Sequence, residues 1–209
     1  AWLDARAFHI CPMPIEVQRP LVDAIGRRFT SLDPCVILRP DTLEAWRGLL
    51  GRADALFLGE DEMELEVEAL EDLAGGRLET IVFKRGGRGG MLFDSRQGGG
   101  KEPLLHVRPR SLIDPPPYPS PRRGRGPLPR VPRRVLCWEA RAGEVVDPTG
   151  AGDAFAAGVL AGWLLGEPHE RALRRGIVGA SFALEGWGPA GLLRATPEAA
   201  EARLREWFG

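Results

Sequence analysis

Short apolar runs, set apart by polar turns and amphipathic stretches, punctuate the first half of the chain. AFHIC (residues 7–11) reads as a strand, and the apolar spacing that follows predicts a helix over about 17–29, with Pro20 tolerated in its first turn. CVIL (35–38) predicts a second buried strand. Asp41-Thr42-Leu43-Glu44 has capping-box spacing, with Asp in the Ser/Thr role, and opens a helix through about Leu50. ALFL (55–58) predicts a third strand, followed by an acidic helix over about 60–73. TIVF (80–83) and MLF (91–93) predict two more, joined by the glycine-rich turn KRGGRGG at 84–90. Beyond residue 144 the pattern turns helical, with Val145-Val146 as the end of a strand. Helices are predicted over about 152–165, 169–184 and 197–208, the last started by Thr196 and Pro197. Residues 154–165 (AFAAGVLAGWLL) are apolar on every side, as a fully buried helix would be.

Continuous apolar strands alternating with helices imply βαβ units and a mainly parallel sheet. The expected fold class is α/β, a three-layer αβα domain spanning 1–209. Residues 101–134 interrupt it. They hold ten of the 19 prolines, and nine Lys/Arg against two Asp/Glu give them +7 in a chain of net charge −1. Such a stretch buries too little apolar area to offset its ordering entropy, so an extended, largely disordered insert is expected.

Composition narrows the classes of function. Hydrophobic residues make up 44% and charged residues 27%, ordinary for a globular protein. No apolar run reaches the roughly 18 residues of a membrane span, and the N-terminus lacks a signal-peptide pattern, so a cytoplasmic protein without a membrane partner is expected. Cys11, Cys35 and Cys137 form no CxxC pair, which predicts reduced and mostly buried thiols. His9, His106 and His169 are scattered and imply no metal chemistry. The chain contains no Asn, so any motif that needs one is incomplete.

The chemistry concentrates in VVDPTGAGDAF (145–155). Its glycines sit where the chain turns into a helix N-terminus, and free N–H groups with the positive end of the helix dipole favour an anion there. Gly150, Ala151 and Gly152 have no side chain large enough to block a phosphate. Asp153, in the first helical turn, serves equally as a capping carboxylate or as a base taking a proton from a hydroxyl. Phosphoryl transfer needs both features together.

DPTGAGDAF resembles the C-terminal signature of the PfkB/ribokinase family of ATP-dependent sugar and nucleoside kinases. The resemblance implies Asp153 as catalytic base and Gly150, Ala151 and Gly152 as the anion hole for the migrating phosphoryl group. Asp147 and Thr149 would shape the turn and supply oxygens to a monovalent cation such as K⁺, or act as plain turn residues. VFKRGGRGG (82–90) is similar to the family's strand-turn around the nucleotide, which places Lys84, Gly86 and Gly89 at the cofactor; a tight hairpin needing φ > 0 would select the same glycines. LGEDE (58–62) falls where the family has Asn-x-x-Glu, which organises Mg²⁺. Glu62 matches and Gly59 stands in place of the Asn, while the neighbouring acids suit a solvated face. Residues 179–192 fall where the family folds over the adenine, with Gly186 and Gly188 as turn residues.

The resemblance thus implies a γ-phosphate transfer from ATP, with Mg²⁺, to a hydroxyl of a sugar or nucleoside. The family's sugar-contacting acid, Gly-Gly motif and β lid are not found ahead of residue 7, which gives the expectation of the C-terminal portion of such a kinase. Two alternatives stand beside it: a catalytically inactive nucleotide-fold fragment, or a module whose 101–134 segment binds a polyanion in a salt-sensitive way. Tyr118 is the one aromatic in that segment, so stacking on bases is poorly supported and nucleic acid is not the expected partner. A homodimer would cover an exposed sheet edge.

Overall fold

Alternation along each strand decides which helix covers which face of the sheet. The computed structural model describes residues 5–34, 36–64, 77–95 and 134–209. Six strands lie side by side in chain order: β1 (Ala7–Ile10), β2 (Phe29–Leu32), β3 (Ala55–Gly59), β4 (Thr80–Lys84), β5 (Gly90–Asp94) and β6 (Arg134–Trp138). The first four are parallel, and β5 and β6 are antiparallel additions. The helices are α1 (Ile15–Ile25), α2 (Pro40–Leu50), α3 (Ala151–Leu164), α4 (His169–Leu184), α5 (Ala190–Arg194) and α6 (Pro197–Phe208).

On one face Leu56, Leu58, Ile81, Phe83 and Phe93 meet Val22 and Ile25 of α1 and Leu43, Trp46, Leu49 and Leu50 of α2. On the other, Phe57, Val82 and Leu92 meet Phe155 and Val159 of α3 and Ala172, Leu173 and Ile177 of α4. The interleaved numbers 56, 57, 58 and 81, 82, 83 are the strand period expressed as two cores. The three-layer αβα expectation holds.

Five expectations are corrected. Gly26, at φ +70°, stops α1 at Ile25, and Phe29, read as the helix end, instead opens β2, a strand the sequence reading did not predict. Leu38 is fully buried but makes only an isolated bridge to Met63; Val36 and Ile37 join no strand, and Cys35 lies outside the described residues. Val145-Val146 ends no strand: the Val146 amide bonds to the Leu184 carbonyl, and the strand of this region is β6. Helix α3 is not buried on all sides, since Ala157, Ala161 and Leu164 face outward. Small residues there leave the outer face with little apolar area to hide. Cys11 and Cys137 are exposed, against the expectation of buried thiols. The acidic helix beyond residue 64 and the 101–133 segment lie outside the described residues. Among the described residues, no helix is long and apolar enough to cross a membrane.

Candidate functional site

Parallel strands deliver their C-terminal ends to one edge of the sheet, where α/β proteins bind ligands. Cys11 follows β1, Asp33 follows β2, Glu60–Glu62 follows β3 and Lys84 closes β4. The N-terminus of α3 comes to the same edge: a Cβ added to Gly152 would lie 3.7 Å from Lys84 Nζ.

The turn into α3 is built by its own side chains. Asp147 accepts the Thr149 amide (2.9 Å) on one oxygen and the Gly188 amide (2.9 Å) on the other. These bonds hold its carboxyl below the usual range, the Gly188 amide contributing most. They also tie the α4–α5 connection to the glycine turn. Gly150 takes the left-handed conformation at φ +77°, where other residues are strained, and the Ala151 amide bonds to the Pro148 carbonyl (3.2 Å). Among the described residues, the amides of Gly150, Gly152 and Asp153 have no hydrogen-bond partner. Three donors at the positive end of a 14-residue helix are thus open to an anion. Asp153 is exposed and acts electrostatically on His9, Cys11 and Asp33.

Lys84 Nζ donates to Asp33 Oδ2 at 2.8 Å. The Asp33 side chain is 1% exposed, yet its Oδ1 has no partner. Burial pushes the Asp33 carboxyl above its ordinary value, and Lys84 pulls against that rise. Glu62 folds back to accept the Gly59 amide, and burial raises its carboxyl as well, with that amide opposing. A side chain at Gly59 would meet the carboxylate ends of Asp61 and Glu62, which would have to turn aside to make room. His9 bonds through Nδ1 to Ser31 Oγ (2.9 Å), its Nε2 is buried without a partner, and burial lowers its pKa.

The turn between β4 and β5 is a tight hairpin. Gly86 and Gly89 have φ +54° and +79°, and a Cβ on Gly89 would run into the Trp138 carbonyl of β6. Hairpin geometry is by itself a sufficient reason for both glycines. Arg88 in this turn pairs with Glu60 after β3.

Of the residues expected from sequence, Gly150, Gly152, Asp153, Lys84 and Glu62 converge on one edge, whereas the Ala151 amide, expected in the anion hole, is taken up by the Pro148 carbonyl; Asp147 and Thr149 support the turn, and Gly86 and Gly89 form the adjacent hairpin. Asp33 was missed, because β2 was not read as a strand, Phe29 being taken as the end of the first helix. The sequence does carry a signal for Asp33, an Asp-Pro pair directly after Phe29-Thr30-Ser31-Leu32, a β-rich run.

Comparison with known proteins bears on the family and the fold. Residues 133–194 match the family described as pfkB family carbohydrate kinase. The chain is 32% identical over 200 residues to a cytidine kinase of Thermococcus kodakarensis, an alignment covering 90% of this chain and 58% of that one. The chain therefore spans little more than half the length of this relative. Among solved structures, one from E. coli described as a ribokinase II with ATP and Mg²⁺ superposes with a TM-score of 0.67 at 18% identity, over 97% of this chain and 59% of that one. The Methanocaldococcus jannaschii nucleoside kinase, a ribokinase-family member, gives 0.65 at 18% identity over 97% and 57%. At such identity these two matches speak for the fold alone.

Proposed function

We propose, from the premise that this chain belongs to the pfkB family of carbohydrate kinases, that it carries the phosphoryl-transfer half of an ATP-dependent kinase acting on a hydroxyl of a nucleoside or sugar. The observation that carries the reading is the meeting of Lys84, the open amides of Gly150 and Gly152 and the exposed carboxylate of Asp153 at the start of α3. The similarity to a cytidine kinase makes nucleosides the first acceptors to test.

In this reading the amides of Gly150 and Gly152 and the dipole of α3 hold the phosphoryl group in transfer, where charge develops on its oxygens. Lys84 adds a point charge beside the same turn. Asp153, the third residue of the helix, accepts the proton of the attacking hydroxyl as the new O–P bond forms, while the nucleoside diphosphate leaves with the electrons of the broken bond. Asp147 acts by holding the turn, since both its oxygens are taken up by amides.

Mg²⁺ takes one or two carboxylates, keeps several waters and bridges phosphate oxygens. The orphaned Oδ1 of buried Asp33 and the carboxylate of Glu62 fit that demand. Bound there, the ion would neutralise phosphate charge during transfer.

The test is ATP-dependent phosphorylation of cytidine, other nucleosides and pentoses by the protein and by its Asp153→Asn variant. Loss of about 100- to 10,000-fold in turnover, with the circular dichroism spectrum unchanged, is expected. Turnover near the parent's level would remove Asp153 from the mechanism.

A further inference from the structure

Lys84 is the last residue of a strand whose neighbours in register are Gly59 on β3 and Gly90 on β5. No side chain at either position steers the lysine stem, and a four-carbon chain ending in a point charge has many rotamers to choose from. Yet Nζ is directed to α3, and one contact accounts for that direction: Asp33 Oδ2 at 2.8 Å. We infer that Asp33 is a positioning residue, whose carboxylate holds the Lys84 ammonium at the start of α3 so that the site favours a nucleotide carrying a γ-phosphate.

Three features of the pair support this role over a purely structural one. Asp33 is itself held by backbone bonds: its amide donates to the Ile10 carbonyl (2.9 Å) and its carbonyl accepts from the fully buried Gln18 Nε2 (3.1 Å). The anchor is therefore rigid where the lysine is not. The pair is also incompletely satisfied. A buried ion pair that only stabilises a fold needs its remaining lone pairs matched, because desolvation otherwise outweighs the attraction. Here Asp33 Oδ1 is bare, and among the described residues no second acceptor holds the other two ammonium donors. Finally, the spare donors lie beside the open amides of the α3 turn, with Nζ 3.7 Å from where a Gly152 Cβ would stand. Cation and helix terminus together make a seat for more negative charge than either could hold alone.

The inference rests on the kinase reading above, and the experiment separates the two. The 209-residue protein and its Asp33→Asn, Asp33→Glu, Lys84→Met and Lys84→Arg variants are titrated with ADP and with AMP-PNP by calorimetry, in EDTA so that metal contributes nothing. The parent should bind AMP-PNP more tightly than ADP. Lys84→Met should weaken AMP-PNP about tenfold more than ADP. Asp33→Asn should lose most of the same preference although Lys84 is still present, and Lys84→Arg should lose part of it. If Asp33→Asn fails to fold, Asp33→Glu keeps the charge, moves it by one methylene and should show the loss. Because Lys84 and Lys101 are the only lysines, ¹⁵N-lysine spectra resolve Nζ of Lys84, which should shift on adding AMP-PNP in the parent and not in the Asp33 variants. An unchanged AMP-PNP-to-ADP ratio in a folded Asp33 variant overturns the inference and leaves the kinase reading standing. A parent chain that binds neither nucleotide overturns both.

Discussion

Gly150 and Gly152 stand two positions apart and are glycine for different reasons. At Gly150 an added Cβ would meet nothing within 4 Å, but φ is +77°, so Gly150→Ala should cost about 1–2 kcal/mol of stability from backbone strain alone, measured by urea unfolding. At Gly152 the backbone is helical and the nearest atom to a Cβ is Lys84 Nζ. Gly152→Ala should fold as well as the parent, since alanine is the better helix former, and should weaken AMP-PNP binding by crowding the phosphate seat. His9 supplies a test in pH. Burial lowers its pKa from 6.5, so between the folded value and 6.5 the unfolded chain binds the proton that the folded chain refuses. Stability from this group is complete above about pH 6.5 and falls as the pH drops below it. A second N–H at the partnerless Nε2 is the physical obstacle. Urea midpoints at pH 7.5 and 5.5 should differ more for the parent than for His9→Gln; an equal difference would assign the acid sensitivity elsewhere. Asp33 works in the opposite sense and lower, because its raised pKa makes the folded chain the better proton binder above 3.8.

Helices α3 and α4 meet backbone to backbone, and glycine makes that approach possible. A Cβ on Gly158 would lie 2.6 Å from the Arg175 carbonyl oxygen, one on Gly176 2.7 Å from Val159 Cγ2 and one on Gly179 2.8 Å from the Ala154 carbonyl oxygen. Gly176→Val should therefore force the pair apart at about 1–3 kcal/mol or more, and by moving α3 should weaken nucleotide binding too. Gly48 is the contrast: exposed on α2 with nothing within 4 Å, it should gain about 0.5–1 kcal/mol on replacement by alanine. A Gly176→Val protein as stable as the parent would mean that the helices separate without cost. Such interhelical contacts were not legible in the sequence, where Gly158 read as an ordinary member of an apolar run. Runs such as Leu56-Phe57-Leu58 and Ile81-Val82-Phe83 were legible as strands, whereas the equally apolar Val135-Leu136-Cys137-Trp138 of β6, beside the Pro/Arg-rich stretch, was not read as one. β2 escaped because Thr30 and Ser31 break its apolar run, although both are fully buried. Thr30 takes Asp54 and Arg28 as partners, and Ser31 takes Phe8 and His9. Leu38 misled in the other direction, being buried in the core without belonging to a strand. For the site, the local motif at 147–153 could be read directly, whereas Asp33 acquires its meaning only when β2 is set beside β1 and β3.

Across the whole molecule, charge and topology divide along the chain. The segment 101–134 carries +7 while the chain totals −1, so the kinase-fold remainder is acidic at −8, and a polyanion and a nucleotide would have separate reasons to bind. Strand register shows how to separate them. Asp94 at the end of β5 is the direct antiparallel partner of Arg134 at the start of β6, so the two ends that flank the segment already stand side by side. Residues 96–133 can therefore be replaced by a four-residue turn rich in Gly and Asn without moving either strand. Asp94 must stay, since its Oδ2 pairs at 3.0 Å with His169 Nε2, whose Nδ1 accepts from Trp163 Nε1 (2.9 Å), joining the sheet to the start of α4. On the sequence expectation that residues 101–134 are largely unordered, closing a shorter connection should add about 2 kcal/mol of stability through loop entropy. The shortened protein should bind AMP-PNP as the parent does. Any binding of the parent to a single-stranded RNA at 50 mM salt should fall steeply by 300 mM and vanish on excision, because it would depend on counterion release. Loss of nucleotide binding in a shortened protein that still unfolds cooperatively would instead place part of the nucleotide site within 96–133.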